Sequence, residues 1–174
     1  MGNFEELVNR ELPNLRLLCG EPMSRHTTFR IGGAADYYAV PDERELAPLL
    51  RLAKEASVPV TVIGHGSNLL VGDGGIRGLV IEIGERMQEV SVDGRRLMAQ
   101  AGALLSKVAQ TAAAAGLGGL EFAAGIPGNL GGAVVMNAGA YGGEMKDVIE
   151  RVTLLGKSGE LYGLLNEELD FGYR

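Results

Sequence analysis

The chain has 174 residues, enough for one domain or for two small lobes sharing a site, and enough to bury a real core. With 46% hydrophobic and 22% charged residues it has the balance of an ordinary globular protein, and its 27 glycines follow no period, which excludes a collagen-like or disordered chain. The net charge of −6 argues against nonspecific binding to nucleic acid or to an anionic membrane, although a local basic patch is still free to meet a phosphate.

Phe4, Leu7, Val8 and Leu12 recur at helical spacing, which predicts a short amphipathic helix ending near Pro13. Met1 to Arg10 carries acids and polar residues and does not resemble a signal peptide. Cys19 is the single cysteine, so no internal disulfide is possible, which suits a reducing cytoplasm. It has no patterned histidine partner and is expected to be a buried or neutral thiol. Arg30 to Val40, with Tyr37-Tyr38-Ala39-Val40, is predicted as a strand closed by Pro41. Asp42 then stands as a helix N-cap, with Glu45 three residues later as in a capping box. Leu46, Leu49, Leu50 and Ala53 line one face of that helix, and Glu43, Glu45, Arg51, Lys54 and Glu55 form its solvated side. Pro48 lacks an N–H and clashes with the preceding turn, so a kink or a later start is expected.

Val60 to Ile63 is predicted to be a buried strand that leads into the glycine-rich Gly64-His65-Gly66-Ser67-Asn68. Gly78 to Ile83 is a further strand, after a turn at Gly72-Asp73-Gly74-Gly75, and Asp93-Gly94 marks a hairpin between two more. Leu104 to Ala115 is predicted as a helix, started by Ser106 or a neighbour and closed by Gly116. The longest apolar run, Ala112 to Leu120, is far too short to span a bilayer. Ala133 to Asn137, Val148 to Leu155 and Glu160 to Leu165 are predicted strands, the last two joined by a turn at Lys157-Ser158-Gly159. A β-α-β opening followed by hairpins around a helix implies an α+β fold of two lobes, 1–85 and 86–174, meeting near Gly84 to Gln88.

Two stretches stand out chemically. Gly64 to Asn68 follows a strand and can turn several N–H groups toward one anion, with Ser67 and Asn68 as side-chain donors. The alternative is a tight turn and nothing more. It is neither a Walker A loop nor a Rossmann fingerprint, because no Gly-Lys-Ser/Thr follows and no G-x-G-x-x-G opens a helix. The second, Gly125-Ile126-Pro127-Gly128-Asn129-Leu130-Gly131-Gly132-Ala133, runs on to Asn137-Ala138-Gly139-Ala140-Tyr141-Gly142-Gly143. It is a poor way to build core. It suits either a sharp chain reversal or backbone lying flat against a planar ligand.

These stretches, with Thr27-Thr28-Phe29-Arg30-Ile31-Gly32-Gly33 before them and Phe171-Gly172-Tyr173-Arg174 after them, occur in the order found in a known family. From about Pro22 to its last residue the chain resembles the UDP-N-acetylenolpyruvoylglucosamine reductases, flavoenzymes of bacterial peptidoglycan precursor synthesis. The resemblance implies noncovalent FAD between two α+β lobes, in the fold shared with vanillyl-alcohol-oxidase-type flavoproteins. It implies that Gly64, His65, Gly66, Ser67, Asn68, Leu69 and Leu70 wrap the pyrophosphate. Gly125, Ile126, Pro127, Gly128, Asn129, Gly131 and Gly132, with Val135 and Gly139, would lie along the isoalloxazine and ribityl chain. NADPH is the reductant and a UDP-sugar the substrate, with no metal, nucleic acid or membrane involved. Tyr173 and Arg174 match the family's Tyr-Arg pair, whose arginine is catalytic; a guanidinium is always charged and grips a carboxylate bidentately. The family's proton-donating serine, its catalytic glutamate and its substrate domain come after that pair. The expectation is therefore the FAD-binding part of a reductase, unable to complete the reduction alone. His65 lies where some flavoproteins of this fold attach FAD covalently but is not in their motif, so a noncovalent contact is expected. His26 either contacts the cofactor or begins a strand, and Tyr141 either faces substrate or packs at a strand end.

Overall fold

The computed structural model describes residues 2–156 and 159–172. The N-terminal periodicity forms α1 (Gly2–Glu11), which buries Phe4 and Val8. A strand without a clear sequence signal comes next, β1 (Leu17–Pro22); its half-buried Leu-Leu-Cys-Gly-Glu-Pro has no apolar alternation. It pairs antiparallel with β2 (Ala34–Ala39), Leu17 facing Ala39 and Pro22 facing Ala34. The strand predicted from Arg30 begins only at Ala34, because Arg30 sits at φ 55, in left-handed backbone no strand accommodates.

The capping box at the start of α2 (Glu43–Glu55) is present in both directions. The Asp42 carboxylate accepts from the N–H groups of Arg44 at 2.9 Å and Glu45 at 3.0 Å, and Glu45 accepts from the Asp42 N–H at 3.0 Å. Arg86 adds ion pairs to both acids, 3.2 Å to Asp42 and 2.5 Å to Glu45. Pro48 lies inside α2 without ending it or delaying its start. Its ring falls in the second turn, so it deletes one early hydrogen bond from a helix already fixed by its cap and by buried Leu49, Leu52 and Ala53.

Two strands parallel to β2 complete the first sheet: β3 (Val60–Ile63) and β4 (Ile76–Glu82), in the order β1-β2-β4-β3. β3 is the edge strand, with Val62 59% exposed, and not the buried strand its apolar run suggests; β4 alone flanks it. The pleat sends alternate residues to two cores. Tyr37, Ala39, Leu79 and Ile81 meet Phe4, Val8, Leu49 and Leu52 on one face. Tyr38 and Val80 join Met23, Ile63 and Val71 on the other. Cys19 is exposed, and partial burial together with the Glu5 carboxylate pushes its thiol up, so it is held protonated.

Further along come the hairpin strands β5 (Val90–Asp93) and β6 (Arg96–Ala99), with Asp93 facing Arg96 across a turn at Gly94. α3 (Leu105–Ala114) starts without a side-chain cap, so Ser106 does not initiate it, while Gly116 at φ 70 follows its end. The segment Ala133 to Asn137 is not a strand: its first residues lie in the short helix α4 (Leu130–Val135). β7 (Gly139–Ala140) and β8 (Gly143–Glu144) form a small antiparallel ladder. β9 (Arg151–Leu155) starts three residues later than Val148, because Met145–Asp147 takes a 3₁₀ turn, and it pairs with β10 (Leu161–Leu165). Of the turn between them, Lys157 and Ser158 lie outside the described residues. A third core joins Leu105, Ala109, Phe122, Ala123, Ala133 and Met145. By packing, residues up to Arg86 with Leu155–Glu160 form one compact unit; Met87–Leu154 with the chain from Leu161 onward form a second. No helix among the described residues is long and apolar enough to cross a membrane.

Leu49 is fully buried in the first core. Leu49→Ala should lower the unfolding free energy by about 2–5 kcal/mol, read from urea midpoints; a change below about 1 kcal/mol would contradict the packing described.

Candidate functional site

In the first unit, Gly64 to Asn68 leaves the end of β3 as a bend followed by a turn. Gly66 is buried at φ 62, and a Cβ there would collide with the His26 carbonyl oxygen and lie 3.0 Å from the Thr27 Cα. The Thr28 N–H donates to the Gly66 carbonyl at 3.2 Å. Gly66 is therefore glycine because main chain packs on main chain here. Thr27 is buried, and its hydroxyl donates to the Ile31 carbonyl at 3.2 Å, closing the loop that carries Phe29 and Arg30 at its exposed tip. His65 and Asn68 are exposed, Ser67 is half-buried, Leu69 packs against the second core, and Leu70 points outward.

Next to this turn lies a polar group that no sequence motif marks. Tyr38 donates its hydroxyl to Glu82, His26 stacks on the Tyr38 ring at 4.0 Å between centroids, and both His26 nitrogens face carboxylates. Burial, reinforced by the hydrogen bond to Glu82, pushes the Tyr38 hydroxyl well above the ordinary tyrosine range.

In the second unit the glycine-rich stretch is held by its own backbone. The N–H groups of Leu130 and Gly131 donate to the carbonyls of Ala103 and Ala101, each at 2.8 Å, and that of Leu105 to Gly128 at 3.0 Å. Asn129 is buried and its amide donates to the Gly102 carbonyl at 2.7 Å, so this side chain braces the loop from within. A Cβ on Gly131 would press on Ala101 at 2.9 Å. At Gly125 and Gly132 the Cβ direction is open space. Ile126 is half-buried against the third core and Pro127 is exposed. Val135, at the end of α4, is 85% exposed.

Asn137 anchors the chain beyond α4. Buried at φ 41, it donates to Glu144 at 2.6 Å and to the Gly172 carbonyl at 3.1 Å, and accepts from the Lys146 N–H at 3.0 Å. Gly139 opens the β7–β8 ladder, whose turn puts Tyr141, at φ 53, 99% into solvent. Tyr141 is thus not the packed aromatic of one sequence expectation. The sequence reading missed the role of Asn137 by placing it at the end of a strand; the signal that marks it is that asparagine just past a helix end tolerates left-handed backbone. Tyr173 and Arg174 lie outside the described residues. Among the described residues no group of three or more His, Cys, Asp or Glu is placed to hold a metal ion.

What the arrangement offers is backbone. The first stretch is a tight turn seated on main chain at Gly66, and the second leaves the Cβ direction open at Gly125 and Gly132.

Two measurements check this geometry. Asn137→Ala should cost about 1–3 kcal/mol in a urea titration, because it removes three part-buried hydrogen bonds and strains a left-handed position; a neutral substitution would contradict the bracing role. The folded Tyr38 keeps its proton where an unfolded tyrosine loses it, so stability is fully present below about pH 10 and falls above it by up to about 1.4 kcal/mol per pH unit. Tyr38→Phe should remove that share of the alkaline loss, and an unchanged pH slope would contradict it.

A family model described as an FAD binding domain matches residues 34–164. A UDP-N-acetylenolpyruvoylglucosamine reductase of Agathobacter rectalis is 55% identical over 98% of this chain and 58% of its own length. The crystal structure of the UDP-N-acetylenolpyruvylglucosamine reductase from Thermus caldophilus matches with a TM-score of 0.74 and 38% identity, over 92% of this chain and 56% of that one. An alkyldihydroxyacetonephosphate synthase shares the fold, with a TM-score of 0.71 at 22% identity, over 95% of this chain and 35% of its own. The chain spans about half the length of the curated relatives it matches. It belongs to the FAD-binding domain family, with FAD as cofactor and the two-lobed α+β fold of the vanillyl-alcohol-oxidase type.

Proposed function

We propose that this chain is the FAD-binding part of a UDP-N-acetylenolpyruvoylglucosamine reductase. The reaction would be reduction of UDP-N-acetylglucosamine enolpyruvate to UDP-N-acetylmuramate, with NADPH as electron source, in the cytoplasm, for peptidoglycan synthesis. The observation that carries this reading is the open ledge at Gly125 and Gly132, in a chain 55% identical to such a reductase.

In this proposal the turn at Gly64 to Leu70 holds the pyrophosphate through backbone N–H groups and the side chains of Ser67 and Asn68. Gly125 to Gly132, with Val135 and Gly139, lies along the isoalloxazine and ribityl chain. The packed glycines keep those backbones in place, and the open ones leave room for the ring. Bound FAD supplies hydride-transfer chemistry. Arg174, next to Tyr173, would hold the substrate carboxylate and offset the negative charge that grows there as the double bond is reduced.

Gly132→Leu separates ligand space from folding. Leucine suits a helix and meets open space there, so the ligand-free protein should melt at the wild-type temperature or slightly above it. FAD affinity, read by titration of flavin fluorescence, should fall about tenfold or more, since the side chain would occupy the place of the ring. Undiminished binding by a folded variant contradicts the ledge as the flavin site. In a reductase carrying this sequence, Arg174→Ala should leave FAD affinity intact and sharply slow NADPH-driven reduction of the enolpyruvyl sugar; an unaltered rate contradicts its catalytic role.

A further inference from the structure

Three polar side chains of the first unit are used neither by its apolar cores nor by the proposed cofactor contacts, and a core tyrosine joins them: Glu21 on β1, His26 in the turn after it and Glu82 at the end of β4, with Tyr38 on β2 turning its hydroxyl toward them. His26 Nε2 lies 2.9 Å from Glu21 Oε1, and its Nδ1 lies 3.4 Å from Glu82 Oε2. Tyr38 donates to that same Glu82 oxygen, and its ring lies 32° from parallel to the imidazole. Arg25 approaches Glu21 from the solvent side at 3.6 Å. A ring with a carboxylate at each nitrogen and an aromatic on its face has one orientation open to it.

The main chain of this same residue is the floor under Gly66. The turn packs on the His26 carbonyl and the Thr27 Cα, and the Thr28 N–H bonds the Gly66 carbonyl. The geometry points to His26 as a positioning residue for FAD: its ring, anchored by Glu21, Glu82 and Tyr38, fixes residues 26–28 against the sheet, and those residues set the place of the Gly66 turn. The inference rests on the proposed pyrophosphate role of Gly64 to Leu70. A turn held in its binding shape beforehand loses less freedom when the ligand arrives, so affinity gained this way belongs to the phosphate end of the ligand and not to its ring end.

The test compares FAD with riboflavin, which has the ring and ribityl chain but no phosphate. Affinities are measured by fluorescence titration for the wild type, His26→Ala, Glu21→Gln and Asn68→Asp, with a melting curve for each. Glu21→Gln keeps the stacked ring and covers the case in which His26→Ala fails to fold. His26→Ala should weaken FAD by about tenfold or more and leave riboflavin within about twofold, and Glu21→Gln should move in the same direction by less. Asn68→Asp puts a negative charge on the exposed turn and should weaken FAD alone if phosphate sits there. If Asn68→Asp is selective while the His26 and Glu21 variants weaken both ligands equally, or neither, the positioning role is overturned. If Asn68→Asp leaves FAD unchanged, the pyrophosphate assignment falls, and the inference with it.

Discussion

Close seating of a glycine where a Cβ has no room is the contact on which both candidate loops depend. Gly66 sits on the His26 carbonyl, and Gly131 on Ala101. A turn seated this way cannot drift outward without losing its floor, nor accept a side chain without being lifted off it. It presents its remaining backbone groups in a fixed arrangement at little further cost in ordering. Glycine therefore has two different jobs within a few residues. At Gly66 and Gly131 it makes the loop rigid, while at Gly125 and Gly132 it leaves the surface open.

The two loops reach rigidity by different supports. The first is braced from a sheet: β3 delivers it, the Thr27–Ile31 loop backs it, and the His26 cluster ties that backing to β1, β2 and β4. The second is supported by the loop and helix residues around it. It relies on the Ala101–Ala103 carbonyls, on Asn129 turned inward and on the small core under α4. Asn137 then ties the chain beyond α4 to Glu144 on β8, to the Lys146 N–H and to the Gly172 carbonyl. Buried asparagines do here what larger apolar residues would do in a thicker core, with hydrogen bonds in place of contact area.

Much of this was legible in the sequence where a local rule was strong. The Asp42–Glu45 capping box, the Asp93-Gly94 hairpin and the helix closed by Gly116 each express chemistry contained within a few residues. The ordered glycine motifs gave the family resemblance and with it the two-lobed fold. The misses have equally local reasons. Val-Val-Met after Ala133 has the apolar, β-branched look of a strand, and the helix over it was signalled only by Asn129 before and Asn137 after. Val60 to Ile63 is apolar enough for a central strand, but strand order is a long-range property, and the chain placed β4 inside it. β1 was invisible because its Gly20 and Pro22 look like loop, although pairing with β2 makes it an edge. The His26 cluster joins residues up to 61 positions apart, from Glu21 to Glu82, which no spacing rule detects.

The central claim is that these backbone loops hold FAD without a covalent bond. It is tested most directly by the visible absorption spectrum of the purified chain, given FAD and freed of excess, before and after denaturation and filtration. The account predicts flavin bands that travel with the folded protein and pass the filter once it is unfolded. Bands retained with the unfolded chain would contradict the noncovalent site and point to attachment at a residue such as His65. A folded chain that takes up no flavin at all would contradict the claim that the loops are a cofactor site.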